Sequence, residues 1–278
     1  GLTLLIQRSF HRPRGFSMTS QTSTDTHTST AYGRLLDISR EAGLLSSIDG
    51  LVGWDQETTM PTGGAPHRAK QLALLARLRH ERLASSEMGE LLTECERTMN
   101  LDADTIEAAN VRALRHDHDR AIRLPAELVS EIAATASTAQ HEWAEARAAN
   151  DFPRFLPWLE KTVDLSRRKA ECYGWEDDQE PWDALAEDYE PGCTARQVAE
   201  VFGPLRDRLK GLLEDIMGGT KKPSGRLDEI ELPGDAQMAF VREIAGEIGF
   251  DFSRGRLDRS THPFCGGSHC DDVDRKST

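Results

Sequence analysis

Apolar residues recur at three- and four-residue steps along most of this chain, the spacing of one face of an α-helix. Leu35, Ile38, Ala42 and Leu45 give a first helix its apolar face from about Tyr32, and the pattern ends it around Gly43 to Ser47. Residues 51–61 read as a short helical turn with Trp54 buried, closed by Pro61 and by Gly63 and Gly64, which continue a helix poorly. Pro66 stands in the first turn of a long basic helix, where its missing N–H is harmless, and Leu72, Leu75, Ala76 and Leu83 face inward. Met88, Leu91, Leu92, Cys95 and Met99 mark another helix. Ile106, Ala113 or Leu114, and Ile122 mark the next, which ends before Pro125.

From Pro125 the stripe Leu128, Val129, Ile132, Ala136, Ala139, Trp143 and Ala146 predicts a long amphipathic helix. Phe155, Leu159, Val163 and Ala170 define its successor, with Gly174 as a left-handed stop. Residues 181–192 form a short helix broken by Pro191 and Gly192, after which Thr194 and Gln197 make a capping box. The helix that follows runs to about Met217. Its predicted buried stripe is Val198, Val201, Phe202, Leu205, Leu209, Leu212 and Ile216, with a kink at Pro204. Residues 218–234 are a linker or an ordered excursion; Met238, Val241, Ile244, Ala245 and Ile248 then bury a last helix stopped by Gly249. Phe250 and Phe252 carry brief strand character, and residues 255–273 form a loop. There is no internal repeat and no sustained heptad seam.

The pattern therefore predicts an all-α, mainly α-helical fold with at most a short strand or hairpin near the C-terminus. Residues 1–31 are set apart. Residues 18–31 are Thr, Ser, Gln and Asp with nothing to bury, and are expected to be disordered. Residues 1–17, basic through Arg8, Arg12 and Arg14, fit a transit peptide or, the preferred reading, an extension read through to a start at Met18.

Composition narrows the classes. The chain has 278 residues, ample for a sizeable core, with 38% hydrophobic and 29% charged residues. No window approaches the ~18 apolar residues of a membrane span. A net charge of -13 argues against nucleic acid as the main partner, because phosphate binding needs a basic surface. Five cysteines, an odd number scattered along the chain, suit reduced thiols and a cytoplasmic setting.

Candidate chemistry is sparse. Asp55 and Glu57 stand two apart and do not share a helix face, so a buried, hydrogen-bonded structural Asp55 is preferred to a catalytic pair. A metal-binding helix with two His one turn apart fails twice: His80-Glu81 meets Ala84, and His141-Glu142 meets Glu145. His116 and His118 read as surface residues, and Cys95 as a core position. The densest set of imidazole, thiol and carboxylate groups is His262, Cys265, His269, Cys270, Asp271 and Asp272. Three readings stay open for it: a loop serving a site completed elsewhere, which is preferred, a small zinc module on Cys265, His269 and Cys270, or a frayed end.

Several stretches together resemble the carboxypeptidase Taq family, the M32 metallocarboxypeptidases. They are Trp54-Asp55-Gln56-Glu57-Thr58 with Met60-Pro61, Gln71-Leu72-Ala73, Trp182-Asp183-Ala184-Leu185 with Tyr189-Glu190-Pro191-Gly192, and Gly255-Arg256-Leu257-Asp258 with His262-Pro263-Phe264. The resemblance implies long antiparallel helices around a groove, a homodimer, a divalent metal (zinc or cobalt) in the full-length parent, and release of C-terminal residues from peptides. It assigns His262, Pro263, Phe264 and Asp272 to the substrate site. It assigns no catalytic and no metal-binding residue to this chain. The family's Asp-x-Arg-x-Thr is matched at Asp272, but Asp274 stands where the carboxylate-binding Arg belongs, and the family's His-Glu-x-x-His helix is not encoded. Residues 32–278 are thus expected to form the helical N-terminal portion of such an enzyme, inactive by itself, without bound metal, and with apolar helix faces left uncovered. The alternative is a non-catalytic helical peptide-binding scaffold.

Overall fold

The structure is a computed structural model that describes residues 30–221, 225, 230–262, 264–266 and 274–277. The expectation of disorder before Tyr32 falls almost wholly outside these residues. Thr30 caps the first helix by accepting from the Gly33 N–H at 3.1 Å. That helix, α1, is Ala31–Thr58, a single 28-residue element where the sequence pattern predicts two pieces. Gly43, Gly50 and Gly53 each weaken it by about 1 kcal/mol relative to Ala, yet they do not break it. Its sides pack on neighbouring helices over most of its length, and tertiary burial outweighs propensity.

A 3-10 turn, Thr62–Gly64, leads into α2 (Ala65–Leu83), with Pro66 in its first turn. Next come α3 (Ser86–Thr98), capped by Ser85, and α4 (Ile106–Ala121), capped by Thr105. α5 (Ala126–Ala149) ends on Asn150 in the left-handed region, and α6 (Phe152–Tyr173) ends at Gly174, whose φ of 70° a side chain would strain. α7 is Pro181–Ala186, α8 is Ala195–Gly218 and α9 is Gly234–Glu247. Both halves of the Thr194/Gln197 capping box form. Of residues 218–234, positions 222–224 and 226–229 lie outside the described residues.

The fold class is all-α, as the periodicity predicts. Its β content is confined to β1 (Gly255–Asp258), β2 (Cys265–Gly266) and β3 (Asp274–Ser277). They pair in the order β1-β3-β2, with β1 parallel to β3 (Gly255 opposite Asp274) and β2 antiparallel to it (Cys265 opposite Lys276). The strand begins later than expected. Residues 250–254 are a turn, because the Phe250 N–H closes on Ala245 O and the Asp251 carboxylate accepts from the Ser253 N–H and hydroxyl.

The main core joins α1, α3 and α4 through Leu35, Ile38, Met88, Leu92, Cys95 and Val111. A smaller one joins α6 and α7 through Ala170, Tyr173 and Ala184. Between them α2 lies along both α1 and α5, and α6 packs on α5.

Four expectations about burial are corrected. On α4, Ile106 is 75% exposed and Ile122 55%, whereas Ala108, Val111, His118 and Ala121 are buried. His118 is therefore a core residue: its Nδ1 lies 2.7 Å from Leu83 O, and Gly89 of α3 lies against the ring. On α6, Leu159 and Val163 are exposed and Leu165 is buried. Finally, no residue of α8 or α9 is buried, although both carry the predicted stripes. Among the described residues neither helix packs extensively on another, so their apolar faces point to solvent.

Candidate functional site

The end of α1 carries three consecutive polar side chains, and each is used to hold helices together. Asp55 accepts from the Thr59 hydroxyl and from Arg68 of α2, both at 2.5 Å, and the Arg68 Nη1 also reaches Val52 O. The Thr59 and Arg68 hydrogen bonds keep the Asp55 carboxyl below the usual carboxylate range. At 39% exposure the Asp55 side chain is half-buried, hydrogen-bonded as expected but less enclosed. Gln56 exchanges two bonds with Ser137 of α5: its Nε2 donates to Ser137 O (3.3 Å) and its Oε1 accepts from Ser137 Oγ (2.6 Å). Glu57 accepts from Gln140 Nε2 at 2.8 Å. Adjacent residues on a helix diverge by about 100°, which is why one triplet reaches two neighbours.

Trp54, buried beside them, meets β1. The Arg256 guanidinium lies 4.9 Å from the indole centroid and pairs with Asp258 Oδ1 at 2.8 Å. The chain beyond β1 is then tied down at successive points. Arg259 bonds Asp235 at the start of α9 (2.6 Å), Ser260 Oγ donates to His262 O (2.6 Å), and Arg147 Nη1 of α5 donates to Thr261 O (2.9 Å). The His262 ring stands edge-on to Trp143, centroids 6.2 Å apart, while Arg147 stacks 5.2 Å over the same indole. His262 is exposed at the surface of α5, and Phe264 is half-buried beside β2. An exposed imidazole on a loop held from behind is open to a bound molecule, for which it would exchange its hydration water.

Pro263 and Asp272 lie outside the described residues, as do His269, Cys270 and Asp271. Cys265 is in β2, paired through its backbone. Among the described residues no three or more His, Cys, Asp or Glu side chains come together in a way that could hold an ion. These residues do not fit a metal centre, and no metal step is assigned to them.

A second polar junction is built from residues 182–192. Buried Asp183 accepts from the Glu180 N–H (2.8 Å) and the Ala195 N–H (2.5 Å), capping α7 and the start of α8 with one carboxylate. Asp188 receives Arg120 of α4 and Lys169 of α6, and the Arg120 guanidinium lies 3.7 Å from the centroid of the Tyr173 ring. Burial pushes the Tyr173 phenol up from its ordinary value. Glu187 takes the Gly192 N–H (2.7 Å) and faces His116 Nε2 (3.2 Å). Each of these acids is consumed in joining α4, α6, α7 and α8.

Two site residues escape a reading of periodicity. Trp143 reads as an inward core residue, and Arg147, to which the periodicity assigns no role, stands four positions on and so on the same face. That i,i+4 spacing of aromatic and cation is the visible signal. Their partner is 114 residues away from Arg147 and has no local trace.

Residues 34–276 match the family model described as carboxypeptidase Taq (M32) metallopeptidase. The chain is 38% identical over 247 residues to thermostable carboxypeptidase 1 of Thermus thermophilus, covering 84% of this chain and 48% of that protein. It is 36% identical over 231 residues to thermostable carboxypeptidase 1 of Pyrococcus furiosus, covering 81% and 45%. The chain thus spans about half the length of the curated relatives it matches. Among solved structures, the apo-Mg carboxypeptidase of Pyrococcus furiosus superposes with a TM-score of 0.73 at 31% identity, over 91% of this chain and 50% of that one. The M32 carboxypeptidase of Deinococcus radiodurans gives 0.71 at 35% identity, over 90% and 49%.

Proposed function

Because this chain belongs to the carboxypeptidase Taq (M32) metallopeptidase family, we propose that it forms the substrate-facing helical half of a metal-dependent carboxypeptidase, a hydrolase of C-terminal peptide bonds. The observation that carries this reading is the family match over residues 34–276, together with a span of half the relatives' length. In it, exposed His262 offers a hydrogen bond to the peptide, Pro263 and Phe264 shape the wall around it, and Asp272 belongs to the same substrate site. Arg147 and Trp143 hold the loop that presents His262. The divalent metal and homodimeric assembly belong to the complete enzyme. Free Cys95, Cys172 and Cys193 suit a reducing, cytoplasmic setting.

By itself this polypeptide does not turn peptides over. Its two His-Glu pairs, His80-Glu81 and His141-Glu142, lack a second His one turn on. A helix of that kind would hold the ion that lowers the pKa of a bound water and would carry its general base, and neither pair provides one. The test is an assay of the purified chain with a C-terminally labelled peptide, with added zinc or cobalt and with chelator, alongside calorimetric titration of the same peptide. Weak binding without release of amino acid, further weakened in His262→Ala, is the expected result. Chelator-sensitive trimming by the chain alone would overturn it.

A further inference from the structure

α5 contains one Arg and no Lys. That residue, Arg147, is exposed and, among the described residues, has no acidic partner, which sets it apart from the cations around it. Arg154 is paired with Glu142 and Glu145 at 2.9 and 3.8 Å, Arg256 with Asp258 at 2.8 Å, and Arg259 with Asp235 at 2.6 Å. The Arg147 guanidinium donates one hydrogen bond, from Nη1 to Thr261 O at 2.9 Å, and that oxygen belongs to the peptide group joining Thr261 to His262. Its Nε and Nη2 donors stay open to solvent or to a ligand, one residue from the exposed imidazole. The Trp143 indole, with its centroid 5.2 Å from the guanidinium carbon, and the Thr261 carbonyl already fix its place, so little side-chain freedom is left to lose on binding.

These surroundings favour one kind of ligand. A planar carboxylate matches the guanidinium fork and accepts two parallel N–H bonds from it. With a net charge of -13 the chain as a whole repels anions, so an anion that binds has to be recognised at short range by a cation not already neutralised. We propose that Arg147 is a specificity-determining residue of the peptide site, its fork binding the terminal carboxylate of a peptide that His262 meets through a neighbouring polar group. The chain then distinguishes a peptide with an ionised C-terminus from one whose end is blocked, which is the difference between recognising an end and recognising an internal segment. The inference rests on the peptide-binding reading of His262 and adds to it the positive charge that an end-specific site needs.

The test is calorimetric titration of the full chain with one peptide in two forms, C-terminal acid and C-terminal amide. The parent should bind the acid about tenfold more tightly, the scale of one charge-assisted contact at an exposed site. Arg147→Gln should make the two affinities equal, and Arg147→Lys, which keeps the charge without the fork, should fall between. Because Arg147 is exposed, both variants should keep the parent's melting midpoint. Loss of the Thr261 bond loosens the loop for both forms of the peptide, so the ratio of the two affinities, unlike either one alone, reports the carboxylate contact. A parent that binds both forms alike, an acid preference that survives Arg147→Gln, or a Lys variant as indifferent as the Gln one overturns the inference and leaves the peptide reading standing. Binding of neither form by the parent removes that reading, and the inference with it.

Discussion

Arg147 of α5 donates from Nη1 to the carbonyl oxygen of Thr261 at 2.9 Å, the residue immediately before His262. One cation thereby holds the backbone of the loop while stacking on Trp143, the indole against which the His262 ring is set. Such a bond contributes about 1 kcal/mol net, equivalent to roughly a fivefold change in local opening. Arg147→Ala should raise amide exchange of residues 259–262 by about that factor, with little change in global melting. Measured by hydrogen–deuterium exchange, unchanged rates would show that the loop is held by other means.

Gly89 of α3 approaches the buried His118 ring so closely that an added Cβ would sit 2.9 Å from Nε2. The ring cannot easily withdraw, because its Nδ1 is bonded to Leu83 O. Gly89→Ala is expected to destabilise by about 1–3 kcal/mol through overpacking. Gly53→Ala, in α1 with nothing within 4 Å, should instead gain up to about 1 kcal/mol from helix propensity. Denaturant titration of both variants checks the contrast, and two changes of the same sign would refute it.

Asp183 caps two helices at once, so its loss leaves the Glu180 and Ala195 N–H groups short of an acceptor. Asp183→Ala is expected to cost about 1–3 kcal/mol. The loss should also free the start of α8. Faster amide exchange at residues 195–198 in the variant is the specific signature; a lower melting point without it would point to general damage.

His80 in α2 is half-buried, and burial lowers its pKa below the ordinary 6.5, with a hydrogen bond to the Leu124 backbone and nearby Glu81 opposing. A depressed folded pKa means that the unfolded chain binds the proton more readily. The stability contributed by neutral His80 is therefore full above about pH 6.5 and is lost as pH falls through the lower folded value. The melting-point advantage of the parent over His80→Gln should shrink between pH 7.5 and 5. An advantage that stays constant or grows on acidification would contradict this assignment.

The features readable from the chain were those made by residues within a turn of one another. The Thr194/Gln197 box, Pro66 at a helix start and Gly174 at a helix end all stand where the sequence puts them, because capping is settled by three or four neighbouring residues. The motif stretches were visible as well, but not their employment. Asp55, Gln56 and Glu57 turn out to bind α1 to α2 and α5, and Asp183 to Asp188 bind four helices, by contacts with residues up to 83 positions away.

Periodicity determined that most of this protein is amphipathic helix, since that depends only on which side chains recur every three or four positions. Only the tertiary structure decided which of those faces are buried. α4 hides His118 and exposes Ile106, and α8 carries one of the most regular stripes in the chain yet buries none of it. Burial is a property of whatever packs against a face, and a helix's own sequence records neither which residue 114 positions away meets Arg147 nor whether a stripe such as that of α8 is covered.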